Sequence, residues 1–135
     1  MPGATYVLDK TYIVEEAAGL GKYLAVIPGT SDQQVKVTGA TAAGVVVGIT
    51  QEAGANGKPV AVRKMGISRA VAAGIILRAA YVELAGDTGK LQSATLTAGT
   101  AAVHHIVGQA ETPAGADGDI FYVLMVNCPD SVALH

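Results

Sequence analysis

The sequence has 135 residues, of which half are hydrophobic, with a net charge of −2, one cysteine and no tryptophan. This length fits one domain with a sizeable core, and the slightly acidic balance excludes the basic patch on which nucleic-acid binding relies. One cysteine forms no internal disulfide, and no apolar run reaches the roughly 18 residues of a membrane span. We therefore expect a protein made in the cytoplasm, with neither nucleic acid nor membrane as a partner.

The surface of this chain is expected to be unusually apolar. Charged residues make up 15% of it, whereas an average soluble domain has roughly 25%. A monomer with so few charges has too little polarity to cover its surface, so the composition predicts burial in an oligomer or against a partner.

The chain begins with residues 1–12, which show no sustained periodicity and contain Tyr6 and Tyr12. Two interpretations stay open: a frayed terminus tied down by one short strand, or an arm that lies on a neighbouring subunit or partner with the tyrosines as anchors. We divide the chain into this N-terminal arm, a single β domain over 13–129 and a loose tail over 130–135.

The first half of the domain alternates short apolar runs with turn residues. Residues 13–21 predict one or two helical turns that end at Gly19 and Gly21. Strands are expected at 23–27 and 34–38 as a hairpin, then near 45–50 and 60–64, with Pro59 at the start of its strand because proline donates no ladder hydrogen bond. After Gly66, residues 67–71 predict a separate strand.

In the second half, residues 75–84 predict a short turn that feeds a strand, and 91–100 alternate only weakly. Residues 105–126 predict two further strands. The longest apolar run is 120–126, and its continuous character indicates burial on both faces. Turn signals every 8 to 12 residues predict an all-β fold: a small sandwich or barrel of short antiparallel strands.

A weak internal repeat supports this architecture. Residues 47–62 return, much altered, as 107–123: Gly48 and Gly108 lie 60 positions apart, and each copy turns at an Asn-Gly or Asp-Gly pair. These pairs supply the positive φ angles of a tight hairpin. We expect related β units around 44–64 and 105–126.

The residue inventory predicts no enzyme, cofactor or metal site. Gly57-Lys58 and Gly89-Lys90 lack the flanking residues of a phosphate-binding loop. His104 and His105 would point to opposite faces of a strand, and Asp117 and Asp119 are typical of turns with local hydrogen bonds. No base accompanies Cys128, for which a buried or semi-buried structural thiol is the simpler interpretation.

One cationic cluster, formed by Arg63, Lys64 and Arg69, stands out on two predicted strands. It is either a strand edge whose charge blocks aggregation or a contact to an acidic partner surface.

Several motifs, taken in order, resemble the head decoration or capsid cement proteins of tailed bacteriophages. The resemblance covers about residues 20–127 and rests on Val46-Val47-Gly48-Ile49-Thr50, Gly57-Lys58-Pro59-Val60-Ala61-Val62-Arg63, Gly66-Ile67, Gly86-Asp87-Thr88-Gly89-Lys90-Leu91, Ile106-Val107-Gly108-Gln109-Ala110 and the closing Gly118-Asp119-Ile120-Phe121-Tyr122-Val123.

The resemblance implies a structural virion protein that binds the outside of an assembled head, often as a homotrimer, and cements the capsid lattice across capsomer boundaries. Its partners would be the major capsid protein and further copies of itself. The contact residues expected from the sequence are Tyr6 and Tyr12, then Arg63, Lys64 and Arg69. The alternative is a phage tail or baseplate module, or a carbohydrate-binding β module; with one Phe and no Trp, the aromatic platform of a sugar site is poorly supplied.

Overall fold

The computed structural model describes residues 7–40, 45–94 and 105–128, and within these ranges it contains nine strands and no helix. The strands are β1 (Leu8–Val14), β2 (Ala25–Pro28), β3 (Gln34–Lys36), β4 (Gly48–Thr50), β5 (Pro59–Val71), β6 (Tyr81–Leu84), β7 (Leu91–Ser93), β8 (Ile106–Ala110) and β9 (Ile120–Cys128). The predicted all-β class is confirmed, and so is the hairpin of β2 and β3. The tail over 130–135 lies outside the described residues.

Strands β1 to β5 close into a five-stranded barrel. β1 pairs in parallel with β3, β3 pairs with β2, β2 with β4 and β4 with β5. The first half of β5 then returns to β1 in an antiparallel ladder that runs from Leu8 opposite Met65 to Ile13 opposite Pro59. Every strand of this barrel has two neighbours, which removes the exposed edges that promote aggregation.

The second half of β5 begins a second unit with the same order of connections. It pairs with β9, β9 with β8, β8 with β6 and β6 with β7. A parallel bridge between Ala72 and Leu91 brings β7 back to the end of β5, as β3 returns to β1. We call residues 8–65 the first unit and 66–128 the second unit; β5 belongs to both.

Hydrogen bonds outside the strands repeat between the units. Leu20 and Gly54 exchange two backbone hydrogen bonds of 2.8 and 2.9 Å, and Ile76 and Ala114 exchange two of 2.9 Å. Near the start of β2 and of β6 the backbone takes a positive φ, at Tyr23 (61°) and Ala79 (72°). These equivalences relate the loops around Leu20 and Gly54 to those around Ile76 and Ala114, and the approach to β2 to the approach to β6.

Two apolar cores stabilise the units. The smaller one fills the first barrel, where Val14, Val26, Val35, Val60 and Val62 are each at most 1% exposed. The larger one is built on the second unit, but Ala25 and Ile49 of the first unit also belong to it. The outward side of the first barrel is therefore buried against the second unit.

Three expectations from the sequence are wrong in detail. Residues 13–21 form no helical turn, because Ile13 and Val14 complete β1 and the chain then passes through turns. β5 continues through Gly66, whose φ of 100° accommodates an irregularity within one 13-residue strand. Pro59 does begin that strand, as predicted.

The third error concerns the apolar run over 120–126. Phe121, Val123 and Met125 are buried, whereas Ile120, Tyr122 and Leu124 are 49, 41 and 37% exposed. One face of β9 thus lines the core and the other faces solvent, because this side of the sheet carries no covering layer.

Candidate contact surface

The three predicted cations lie on β5 but do not form one cluster. Arg63 and Arg69 line a shallow pocket of about 290 Å³ between the two units, together with Tyr23, Gln51 and Tyr122 among others. Lys64 does not line this pocket. The charges therefore divide into an arginine pair at the junction of the units and a separate lysine.

The Arg63 guanidinium is engaged in contacts within the protein. Its Nε and Nη2 donate to the two carboxylate oxygens of Asp9 at 2.8 and 3.2 Å, and its Nη1 donates to the carbonyl of Ile67 at 3.0 Å. The guanidinium thus forms a two-point pair with Asp9 of β1 and a hydrogen bond within β5. It holds β1 against the irregularity of β5.

Arg69 is exposed and held between two tyrosines. Its Nε donates to the Tyr122 hydroxyl at 3.1 Å and its Nη1 to the Tyr23 hydroxyl at 3.2 Å. The guanidinium carbon lies 5.6 and 5.8 Å from the two ring centres, within cation–π range. The hydrogen bond to Tyr122, followed by that to Tyr23, raises the pKa of Arg69. We call these three residues the arginine–tyrosine platform.

Lys64 lies with Tyr12. Its ammonium donates to the Tyr12 hydroxyl at 2.9 Å and lies 5.5 Å from the ring centre, and Lys10 approaches the same ring at 5.3 Å. Tyr12 itself is 7% exposed and belongs to the core of the first barrel. Its ring is a packed core group, not an anchor that projects from a free arm.

The predicted arm overlaps β1, since residues 8–12 pair with β5. Tyr6 lies outside the described residues. Any contribution of the first residues to a partner contact stays a prediction, and the segment available for it is shorter than residues 1–12.

An exposed apolar sheet face of the second unit is not predicted by the sequence. Cross-strand pairing aligns Tyr81 with Gln109, Gln109 with Leu124, and Leu124 with Ile67. Tyr81 is 50% exposed, and Ile120, Tyr122 and Leu124 add to the same apolar surface. We call this the outer face, and the arginine–tyrosine platform borders it because Arg69 pairs with Tyr122 across β5 and β9.

The repeat gives the outer face a counterpart in the first unit. Ala25 pairs with Ile49, and Ile49 with Arg63, as Tyr81 pairs with Gln109 and Gln109 with Leu124. Ala25 and Ile49 are fully buried against the second unit. A sheet face that is a packed interface in one unit is thus open to solvent in the other.

Polar groups that invited a chemical interpretation have structural partners. Asp119 accepts a hydrogen bond from the Gly115 amide at 3.0 Å, which confirms its turn assignment, and Asp117 pairs with Lys90 at 3.0 Å. His105 is 3% exposed, and His104 lies outside the described residues. Over 7–40, 45–94 and 105–128, no group of three or more His, Cys, Asp or Glu side chains is arranged to hold a metal ion.

The described part of the chain contains no helix with the length and apolarity to cross a membrane. No known family model matches the sequence, and no curated protein matches it significantly. A solved structure does match: the N base of head fiber gp8.5 of bacteriophage phi29, with a TM-score of 0.64 and 11% sequence identity over 94% of this chain and 98% of that one. At this identity the two proteins share a fold, while membership of the decoration family stays a prediction.

Proposed function

We propose that this chain is a structural virion protein that binds the outer surface of a phage head, with the major capsid protein as its partner and a homotrimer as its working form. The observation that carries the proposal is the fold shared, over nearly the whole length of both chains, with the base of a phage head fiber. The motifs that resemble head decoration proteins agree with it and come from the sequence alone.

The outer face is the surface that we assign to the capsid. It lies on paired strands and is thus held rigid, so little conformational entropy is lost when it docks. Tyr81, Tyr122 and Leu124 expose apolar surface, and Arg69 adds a fixed cation at its border. Tyrosine and arginine are the residue types enriched at the centres of protein interfaces.

Cementing of the lattice would follow from linkage. A protein that binds only the assembled, mature lattice stabilises it by its own binding free energy, and many copies add their contributions. Each contact needs only modest affinity, which fits a small face of mixed apolar and polar character.

Substitutions on the outer face test the assignment. Arg69→Ala and Leu124→Ser should each weaken co-sedimentation with heads by about tenfold, equivalent to about 1.4 kcal/mol. Lys58→Ala removes an exposed cation at a hairpin turn and is the matched control, which should bind as the unaltered protein does. Unchanged binding of both outer-face variants would remove this surface from the proposal.

A further inference from the structure

The loops that the repeat relates to each other differ sharply in side-chain size. Around the Leu20–Gly54 bridge, Gly19, Gly21, Ala53 and Ala55 line a shallow groove of about 420 Å³ on the first unit. Around the equivalent Ile76–Ala114 bridge of the second unit, Ile75 and Leu77 are 71 and 69% exposed. The same backbone motif thus carries a groove in the first unit and two exposed apolar side chains in the second.

Local geometry does not explain glycine at position 21. Its φ is not in the left-handed region, and a Cβ there would meet only Leu24 Cδ1, at an ordinary contact distance of 3.7 Å. Gly19 differs, since its φ is 79° and a Cβ would approach the Gly54 carbonyl oxygen to 2.9 Å. The first unit accepts a side chain at position 21, and its absence leaves the groove open.

Each of the two features has one cation and one anion beside it in the sequence. Glu52 and Lys22 flank the groove in sequence, and Arg78 and Glu111 flank the two protruding residues and their bridge partner; all four are exposed. None of the four forms an ion pair with another residue of the described ranges. A copy that places Leu77 in the groove of a second copy brings Arg78 and Glu111 towards a surface that carries Lys22 and Glu52.

We propose that Ile75 and Leu77 of one copy insert into the groove formed by residues 18–21 and 53–55 of a second copy, with Arg78 meeting Glu52. The contact joins different patches on the two copies, so it is heterologous, and closure of such contacts by rotation produces a ring. The inference rests on the homotrimer of the proposed function and names the surfaces that build it. Burial of two exposed aliphatic side chains supplies the apolar part of the contact.

Two complementary variants test the contact by sedimentation equilibrium. Ile75→Ser with Leu77→Ser removes the protruding groups, and Gly21→Gln fills the groove; both changes lie on exposed loops. Each variant alone should sediment as a chain of 13.6 kDa, where the unaltered protein forms a trimer. An equimolar mixture should form a heterodimer, because one intact groove and one intact pair of apolar residues remain. Met65→Ser, at a 59% exposed residue elsewhere, is the matched control and should stay trimeric.

Charge exchange provides a second measurement. Arg78→Glu alone should weaken association about tenfold, and adding Glu52→Arg in the same chain should restore it. The inference is overturned if the unaltered protein is monomeric, if both loop variants remain trimers, or if the mixture of monomeric variants stays monomeric. Head binding is measured separately by co-sedimentation, so loss of the trimer contact and failure of the proposed function are distinguishable.

Discussion

Gly48 and Gly108 occupy equivalent positions in the two units, each pressed against the backbone of the neighbouring strand. A Cβ at Gly48 would overlap the carbonyl oxygen of Arg63, and a Cβ at Gly108 would overlap that of Leu124. Neither glycine has a positive φ, so the requirement is space and not backbone conformation. At these two glycines β4 approaches β5, and β8 approaches β9, too closely to accommodate a Cβ.

Alanine at either position should therefore destabilise the fold. We expect Gly48→Ala and Gly108→Ala each to lower the free energy of unfolding by about 2 to 3 kcal/mol, at the upper end of what overpacking costs. Urea denaturation at fixed protein concentration measures this. Gly74→Ala is the control, because a Cβ there meets nothing within 4 Å. If Gly48→Ala and Gly74→Ala lowered the free energy of unfolding equally, the close approach of β4 and β5 would not explain the effect at position 48.

Glu16 should give the stability a dependence on acid pH. The Thr38 hydroxyl and the amides of Val37 and Thr38 donate to its carboxylate, which lowers its pKa from the ordinary 4.5, against the effect of burial. A lowered folded-state pKa stabilises the fold above the unfolded value, and this contribution is lost as the pH falls through the folded one. Because the site is solvent-accessible, we expect less than about 1 kcal/mol.

The comparison that isolates this contribution is the unaltered protein against Glu16→Gln. The difference in unfolding free energy should be present at neutral pH and should shrink as the pH falls below about 4.5. A difference that stays constant from pH 7 to pH 3 would show that the charge of Glu16 contributes nothing.

The hydrogen bond between Lys64 and Tyr12 should contribute measurably to the first barrel. Tyr12→Phe keeps the ring in the core but removes the hydroxyl that accepts from Lys64 at 2.9 Å, which should cost about 1 kcal/mol. Combining it with Lys64→Met in a double-mutant cycle measures the coupling. Strictly additive effects of the two changes would mean that the pair does not stabilise the fold.

The predicted N-terminal contact calls for a short deletion. Removal of residues 1–12 would also remove most of β1, so deletion of residues 2–7 is the informative change, because β1 begins at Leu8. If the arm contacts the head, this variant should keep its thermal unfolding midpoint and bind heads about tenfold more weakly, or about 1.4 kcal/mol. Unaltered binding would assign no contact to Tyr6.

The sequence predicted the fold class better than the burial of single strands. Val, Gly and turn residues at regular spacing suffice to predict short antiparallel strands, and Pro59 marks the start of β5. The run over 120–126 predicts burial on both faces, because a continuous apolar strand is typical of a sheet covered on both sides. Whether a sheet face is covered depends on segments that are far away in the sequence, and the periodicity of one strand carries no information about those segments.

The candidate surface shows the same limit. The cations Arg63, Lys64 and Arg69 are close in sequence but have different partners. Arg63 pairs with Asp9, and Lys64 donates a hydrogen bond to the core residue Tyr12. Of the three, Arg69 is the one that belongs to the exposed arginine–tyrosine platform. Tyr23 lies in the turn before β2 and Tyr122 lies on β9, so the two tyrosines of the platform are far apart in the sequence. The sequence repeat between 47–62 and 107–123 includes neither Gly21 nor Leu77, and their equivalence emerges only from the two bridges Leu20–Gly54 and Ile76–Ala114.

We propose above all that this protein binds and stabilises an assembled phage head. The direct measurement is co-sedimentation of the purified protein with mature and with immature heads, followed by thermal disruption of the heads with and without it. We predict saturable binding to mature heads, little binding to immature ones, and a higher disruption temperature for heads that carry the protein. Binding to neither kind of head would contradict the claim.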